Sequence, residues 1–181
     1  MAEHGKIDSK PKLNGKMAKS DRMKRHSSQP AIADWVKTLE GYMNLQLVLC
    51  SKLEAIADSL PTLTDTNSAY EASQSLVTLL RTVHKFEEGI VFPQLQKDVR
   101  TRKDLTETVK RLKNEHLGDE DFAEDVSAEL TKYLYKQDHQ QAESLGWMLR
   151  GLFENLRRHI AFEREHILPL AQEFEKDSFT G

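Results

Sequence analysis

The stretch Leu145–Phe174, LGWMLRGLFENLRRHIAFEREHILPLAQEF, decides the fold of this chain. Its apolar residues recur at steps of three and four, as on the buried face of an amphipathic helix. Three other segments repeat this spacing, and none alternates with the period of two that is typical of strands. The four stripes are Ile32, Trp35, Val36, Leu39, Met43, Leu49, Leu53 and Ile56; Val77, Leu80, His84, Val91 and Leu95; Leu105, Val109, Leu112, His116, Ala123, Val126, Leu130 and Leu134; and Leu145, Met148, Leu149, Leu152, Leu156, His159, Ile167, Leu170 and Phe174.

Four helices of about 25 residues, each about 37 Å long, predict an all-α fold, an up-down-up-down four-helix bundle over residues 31–176. We expect a loop over residues 61–68, where Pro61 opens a run of turn-forming residues. The second helix is predicted to end near Pro93, and Gly118 is predicted to interrupt the third.

Residues 1–30 carry eight basic and three acidic residues, a net charge of +5, whereas the remainder carries −8. This segment has too few large apolar residues to offset its ordering entropy, so we expect a mobile basic tail. No aromatic residue is interleaved for base stacking, so we do not expect nucleic acid as its partner. An anionic membrane surface and a protein partner stay open, and a solubilising extension is the preferred interpretation.

Composition excludes several classes for the 181-residue chain, whose length suits one domain. A mean hydropathy of −0.62 with no long apolar run predicts no membrane insertion. Cys50 is the one cysteine, which excludes an intrachain disulfide framework and a zinc site built from several thiolates. With no apolar stretch after the first basic residues, we expect a cytoplasmic location.

Each of the last three stripes contains a histidine followed by acid. On a helix, residues three or four apart share one face, so each segment directs an imidazole and a carboxylate to the same point of the interior. The three segments are His84-Lys-Phe-Glu87-Glu88, His116-Leu-Gly-Asp119-Glu120 and His159-Ile-Ala-Phe-Glu163.

Buried carboxylates make a metal site the preferred interpretation. An unpaired buried carboxylate costs several kcal/mol, against a domain stability of only about 5–15 kcal/mol. Cations would supply the missing charge, and histidine with carboxylate suits iron, manganese or zinc. The alternative is that each histidine pairs with the acid of its own helix at a groove of the bundle. Three such pairs in phase with apolar stripes favour the metal.

At these residues the chain resembles the hemerythrin-like family, the HHE cation-binding domains. The segment from His159 through Glu163 to Pro169 matches the family's half-motif of histidine, acid, apolar pair and proline, and the segment from His84 to Pro93 matches it with one residue fewer. Asn114-Glu115-His116 resembles the lone histidine of the third helix. The resemblance covers about residues 32–175 and implies a four-helix bundle with a non-haem di-iron centre bridged by carboxylates.

The resemblance implies a metal-binding set, with alternatives at two positions. Spacing from His84 selects Glu88, whereas counting back from Pro93 selects Glu87. On the third helix, where the family has a lone histidine, Glu120 or Asp119 would add a carboxylate that compensates for a missing ligand. The family's first-helix histidine is absent, and Gln46 lies on the core face at that depth, so one metal position is weakened or open. The candidate metal ligands are His84, Glu87, Glu88, His116, Glu120, His159 and Glu163.

Three functions follow from these observations. The resemblance implies a protein that binds or senses dioxygen, nitric oxide or peroxide. A carboxylate-rich site with an open position favours, by analogy, a small di-iron oxidase or peroxidase-like enzyme. A metal-free, degenerate bundle acting as an interaction module is the third. Fold-level analogy does not separate them.

Overall fold

The computed structural model describes residues 34–97, 102–136 and 141–180, which form four helical rods. The first rod is α1 (Trp35–Ser59). The second joins α2 (Thr66–Phe86), a π-helical turn (Glu87–Val91) and α3 (Phe92–Leu95), and the third is α4 (Arg102–Lys136). The fourth joins α5 (Ala142–Phe162), a second π-helical turn (Glu163–Ile167) and α6 (Leu168–Thr180). No strand occurs in these ranges, and the prediction of an all-α bundle is confirmed.

Polar contacts between the rods establish that neighbouring rods are antiparallel. Residue numbers fall along one rod as they rise along the next: between the first and fourth rods the pairs are Asp58–Arg150, Glu54–Arg157, Asn44–Arg164 and Glu40–Gln172. The same order holds for Arg81–Glu120 and Glu88–Lys113 between the second and third, and for Asp119–Asn155 and Glu115–His159 between the third and fourth. Each rod therefore packs against its neighbour in the chain, and the fourth packs against the first, as in an up-down-up-down bundle.

The apolar stripes fill the interior. Leu39, Leu80, Leu112 and Leu156, one from each rod, have no exposed surface. Burying each such side chain contributes about 1.5–3 kcal/mol, so the stripes supply the main stabilisation of the bundle. Among the described helices, none has an apolar stretch long enough to cross a membrane.

Two local expectations are corrected by the structure. The loop expected over residues 61–68 ends earlier, because Asp65 caps α2 by accepting a hydrogen bond from the Ser68 backbone N–H. Gly118 does not interrupt the third rod, since α4 continues through it. A single glycine costs only about 1 kcal/mol in a helix, and packing on both sides of it offsets that cost. The basic tail, residues 1–30, lies outside the described residues.

Candidate metal centre

Four buried side chains from three rods converge in the bundle core. Glu87, His116, His159 and Glu163 each offer a ligand atom, and these atoms all lie within 4.8 Å of one another. His116 Nε2 lies 3.2 Å from Glu87 Oε2, and His159 Nε2 lies 3.4 Å from Glu163 Oε1. Two imidazoles and two carboxylates therefore face one small volume that is closed to solvent.

His84 completes a group of three imidazoles. Its ring stacks on that of His116 with the centroids 3.9 Å apart, and the His159 ring centroid lies 5.2 Å from that of His116. The three rings come from α2, α4 and α5, and all are buried. The sequence therefore identified the three histidines that meet in the core.

The two π-helical turns place the buried glutamates. Each turn begins at the glutamate, and the backbone N–H five residues later donates to its carbonyl: Phe92 to Glu87, and Leu168 to Glu163. Pro93 and Pro169 follow directly, and a proline can neither donate a helical hydrogen bond nor tolerate the carbonyl four residues before it. The proline thus widens the turn before it, and each glutamate lies six residues before its proline.

The outer nitrogen of each histidine contacts a carboxylate from the neighbouring rod. His84 Nδ1 lies 2.8 Å from Glu120 Oε1, and His116 Nδ1 lies 2.9 Å from Glu88 Oε1. His159 Nδ1 lies 3.2 Å from Glu115 Oε2. An ionised carboxylate only accepts, so each Nδ1–H donates, and the Nε2 atom of each ring is left for the interior.

The structure places the residues of both alternatives that the sequence left open, Glu87 or Glu88 and Glu120 or Asp119. Glu87 lies in the buried cluster, whereas Glu88 lies beside His116 Nδ1. Glu120 lies beside His84 Nδ1, while Asp119 is buried and accepts a hydrogen bond from the Asn155 amide. Glu115 is not among the candidate ligands predicted from the sequence, although it directly precedes His116 and lies beside His159 Nδ1.

Gln46 is fully buried, at the depth expected from the sequence. The Asn44–Arg164 and Glu54–Arg157 contacts bracket it, so it lies on α1 at the level of residues 157–164, which include His159 and Glu163. Neither atom of its side-chain amide has a hydrogen-bond partner. The first rod therefore presents a neutral amide at the level of the cluster.

Buried polar atoms that lack a hydrogen bond show whether the residues of this cluster fit a metal. Among the described side chains, every buried polar atom without a hydrogen bond belongs to this region: Nε2 of the three histidines, both carboxylate oxygens of Glu87 and Glu163, Asp119 Oδ2 and the amide of Gln46. Buried polar groups normally have a partner, and leaving one unsatisfied costs about 1–3 kcal/mol. The histidine and carboxylate donors are those that iron, manganese and zinc accept, so the residues fit a metal.

Burial and mutual repulsion perturb the titration of the cluster without metal. Burial and the neighbouring imidazoles lower the pKa of His84 to about 2, and burial lowers the pKa of His116. Burial and the Glu163 carboxylate raise the pKa of Glu87. Burial acts to lower the pKa of His159, but the Glu163 carboxylate, 3.4 Å from His159 Nε2, outweighs it and raises the value to about 9.

A buried histidine–carboxylate cluster at the centre of a four-helix bundle defines a candidate non-haem metal protein. The family model described as Hemerythrin HHE cation binding domain matches residues 44–171. The chain belongs to this family. Searches of curated proteins and of solved structures gave no significant match.

Proposed function

We propose that this chain binds two metal ions, iron in the first instance, and that the centre binds or senses dioxygen, nitric oxide or peroxide. The observation that carries the proposal is the convergence, from three rods, of buried ligand atoms that have no hydrogen-bond partner. Membership of the hemerythrin HHE family supports metal binding. The basic tail would then direct the protein to its location in the cell or bind a protein partner.

The chain's own residues divide into two groups. His84, His116 and His159 would each bind metal through Nε2, because that nitrogen is buried in the core without a hydrogen-bond partner. Glu87 and Glu163 would bind through carboxylates that have no hydrogen-bonding partner. These five side chains supply three neutral and two anionic ligands.

Room for a small ligand follows from the number of side chains. Two metal ions held by His84, His116, His159, Glu87 and Glu163 would keep positions for a small ligand, because five side chains offer few ligand atoms for two ions. Iron, when bound, supplies vacant positions and a redox couple suited to dioxygen, nitric oxide or peroxide. Gln46 supports this reading, since α1 carries a neutral amide at the level where the family has a histidine.

Iron loading under anaerobic conditions tests the proposal. We expect a visible spectrum that changes on exposure to air and is restored when dioxygen is removed. His159→Ala should abolish iron binding, whereas His166→Ala should retain it, because His166 lies two turns along the same rod with half of its side chain exposed. Equal iron binding by both variants would overturn the assignment of His159 as a ligand.

The enzyme alternative is favoured by one observation. Gln46, the buried side chain of α1 at the level of the cluster, is a weak neutral ligand and has no hydrogen-bond partner. A coordination position left open there favours, by analogy, activation of oxygen over its reversible binding. Catalytic consumption of peroxide that is lost in His159→Ala would favour the enzyme, and a reversible spectral change without turnover would favour the carrier or sensor.

A further inference from the structure

A positively charged side chain stands behind each of the three outer carboxylates. Arg81 Nε lies 3.4 Å from Glu120 Oε2, and Arg81 also contacts Glu124. Since Glu120 accepts from His84 Nδ1, this gives a continuous series of imidazole, carboxylate and guanidinium from the core to the surface. Arg81 and Glu120 belong to different rods, so the series also joins α2 to α4.

The other two histidines repeat the series. His116 Nδ1 contacts Glu88, whose second oxygen lies 3.8 Å from Lys113 Nζ. His159 Nδ1 contacts Glu115, whose other oxygen accepts from Arg111 Nη1 at 2.6 Å.

Arg111 is itself held in place by an aromatic ring. Its guanidinium lies 4.4 Å above the ring of Phe162, the residue before Glu163. Such a cation–π contact contributes about 0.5–1 kcal/mol when exposed to solvent. The ion pair behind His159 therefore contacts the same rod that carries His159 and Glu163.

We propose that the pairs Arg81–Glu120, Lys113–Glu88 and Arg111–Glu115 are positioning residues that fix the tautomer and orientation of the three histidines. The proposal deepens the proposed function, because a ring with Nδ1–H held outward keeps Nε2 ready for metal. The inner carboxylates of Glu87 and Glu163 compete with the outer carboxylates to accept the hydrogen bond of the ring N–H. The Nδ1–H tautomer therefore requires that the outer carboxylate accept it. The cation orients the outer carboxylate and reduces its freedom to leave the ring.

Ring tautomers measured without metal test this proposal independently of metal binding. The rings of His84 and His116 are buried and stacked, and their nitrogen-15 shifts report which ring nitrogen carries the proton. We expect the Nδ1–H form for both in the wild-type chain. Glu120→Ala should move His84 to the Nε2–H form, and Glu88→Ala should do the same to His116. Rings that keep one tautomer in both variants would overturn the proposal.

Metal affinity distinguishes a positioning role from direct ligation. Loss of an outer partner should weaken metal binding by about 10–100-fold, as for partners of ligating histidines in other metal sites. Glu120→Gln and Glu88→Gln should retain most of the affinity that the alanine variants lose, because the amide oxygen still accepts from Nδ1–H. Equal loss in the alanine and glutamine variants would overturn positioning and indicate that these carboxylates ligate.

A matched control is available on the same rod. Glu129 on α4 pairs with Lys132 at the surface, away from the cluster, so Glu129→Ala should bind metal as the wild-type chain does. If Glu115→Ala binds metal as tightly as Glu129→Ala, the positioning role of Glu115 is wrong. If the wild-type chain binds no metal, the proposed function fails, and the tautomer measurement still decides the positioning of His84 and His116.

Discussion

The imidazole rings of His84 and His116 stack face to face, with centroids 3.9 Å apart and an angle of 2° between their planes, although they come from different helices. Two protonated rings in this position would repel each other. Stacking is consistent with two neutral rings, as the lowered pKa values of both require. The core thus holds these two imidazoles in the protonation state that a metal needs.

Metal uptake should release protons. In the metal-free protein His159 has a pKa of about 9 and is protonated near neutral pH, whereas a metal ligand must be neutral. Its raised pKa stabilises the metal-free fold fully below about pH 6.5, and this contribution is lost as the pH rises toward 9. We therefore expect metal affinity to rise over this range. Titration calorimetry in buffers of different ionisation enthalpy measures the protons, and uptake without release would contradict the assignment.

Glu163→Ala should lower metal occupancy far more than Glu165→Ala. The Glu163 side chain is fully buried in the cluster, whereas that of Glu165 is mostly exposed in the same π-helical turn. Both variants shorten a glutamate in one segment, so differences in occupancy report the position of the carboxylate. Metal analysis of the purified variants is the measurement. Equal losses would mean that the placement of Glu163 toward the metal is wrong.

Glu87→Gln should stabilise the metal-free protein while weakening metal binding. Burial and Glu163 raise the pKa of Glu87 in the folded chain. As the pH rises above about 4.5, Glu87 therefore ionises in the unfolded chain while it stays protonated in the folded one, and this difference destabilises the fold. Removing this group should raise the free energy of unfolding by about 1–3 kcal/mol at neutral pH. Urea unfolding of metal-free wild-type and variant chains measures the effect. A less stable variant would indicate that Glu87 is satisfied in the metal-free core.

Gln46→His should raise iron affinity. Gln46 is buried at the level of His159 and Glu163, and a histidine there would replace a weak neutral ligand with an imidazole. Competition with a chelator of known affinity measures the change. Leu45→His, at an exposed position of the same rod, serves as the control and should leave the affinity unchanged. Unchanged iron content and spectrum in Gln46→His would show that this side chain does not face the metal.

Metal removal should destabilise the bundle without unfolding it. A metal present at about 100 times its dissociation constant adds about 2.7 kcal/mol to the folded state. The apolar stripes are independent of the metal, so helical circular dichroism should persist after chelation while the melting temperature falls. A melting temperature that chelation leaves unchanged would favour the metal-free interaction module.

The bundle was predictable because its apolar stripes are long and regular. Leu39, Leu80, Leu112 and Leu156 lie in the interior where the spacing placed them. Gly118 was misread because the cost of one glycine is small beside the packing of the whole of α4. A preference of about 1 kcal/mol at one residue can determine where a helix ends, but it does not break a helix whose interior is packed on both sides of that residue.

The cluster was only partly predictable. The three histidines and Glu163 follow from helical spacing, but the choice of Glu87 depends on a π-helical turn that regular spacing does not represent. The distance back from Pro93 was the usable signal. Glu115 was missed because its contact with His159 joins two neighbouring rods. Such a contact depends on the axial register between the helices, which a single sequence does not specify.

Metal content per chain, measured together with the ultraviolet–visible spectrum in air, tests the central claim most directly. The account predicts about two iron ions per chain and the absorption of an iron pair, as expected for a di-metal site in a bundle core. One ion per chain would contradict the two-metal centre and identify the level of Gln46 as the defective position. No metal after anaerobic iron loading, in a chain that is still fully helical, would contradict metal binding altogether.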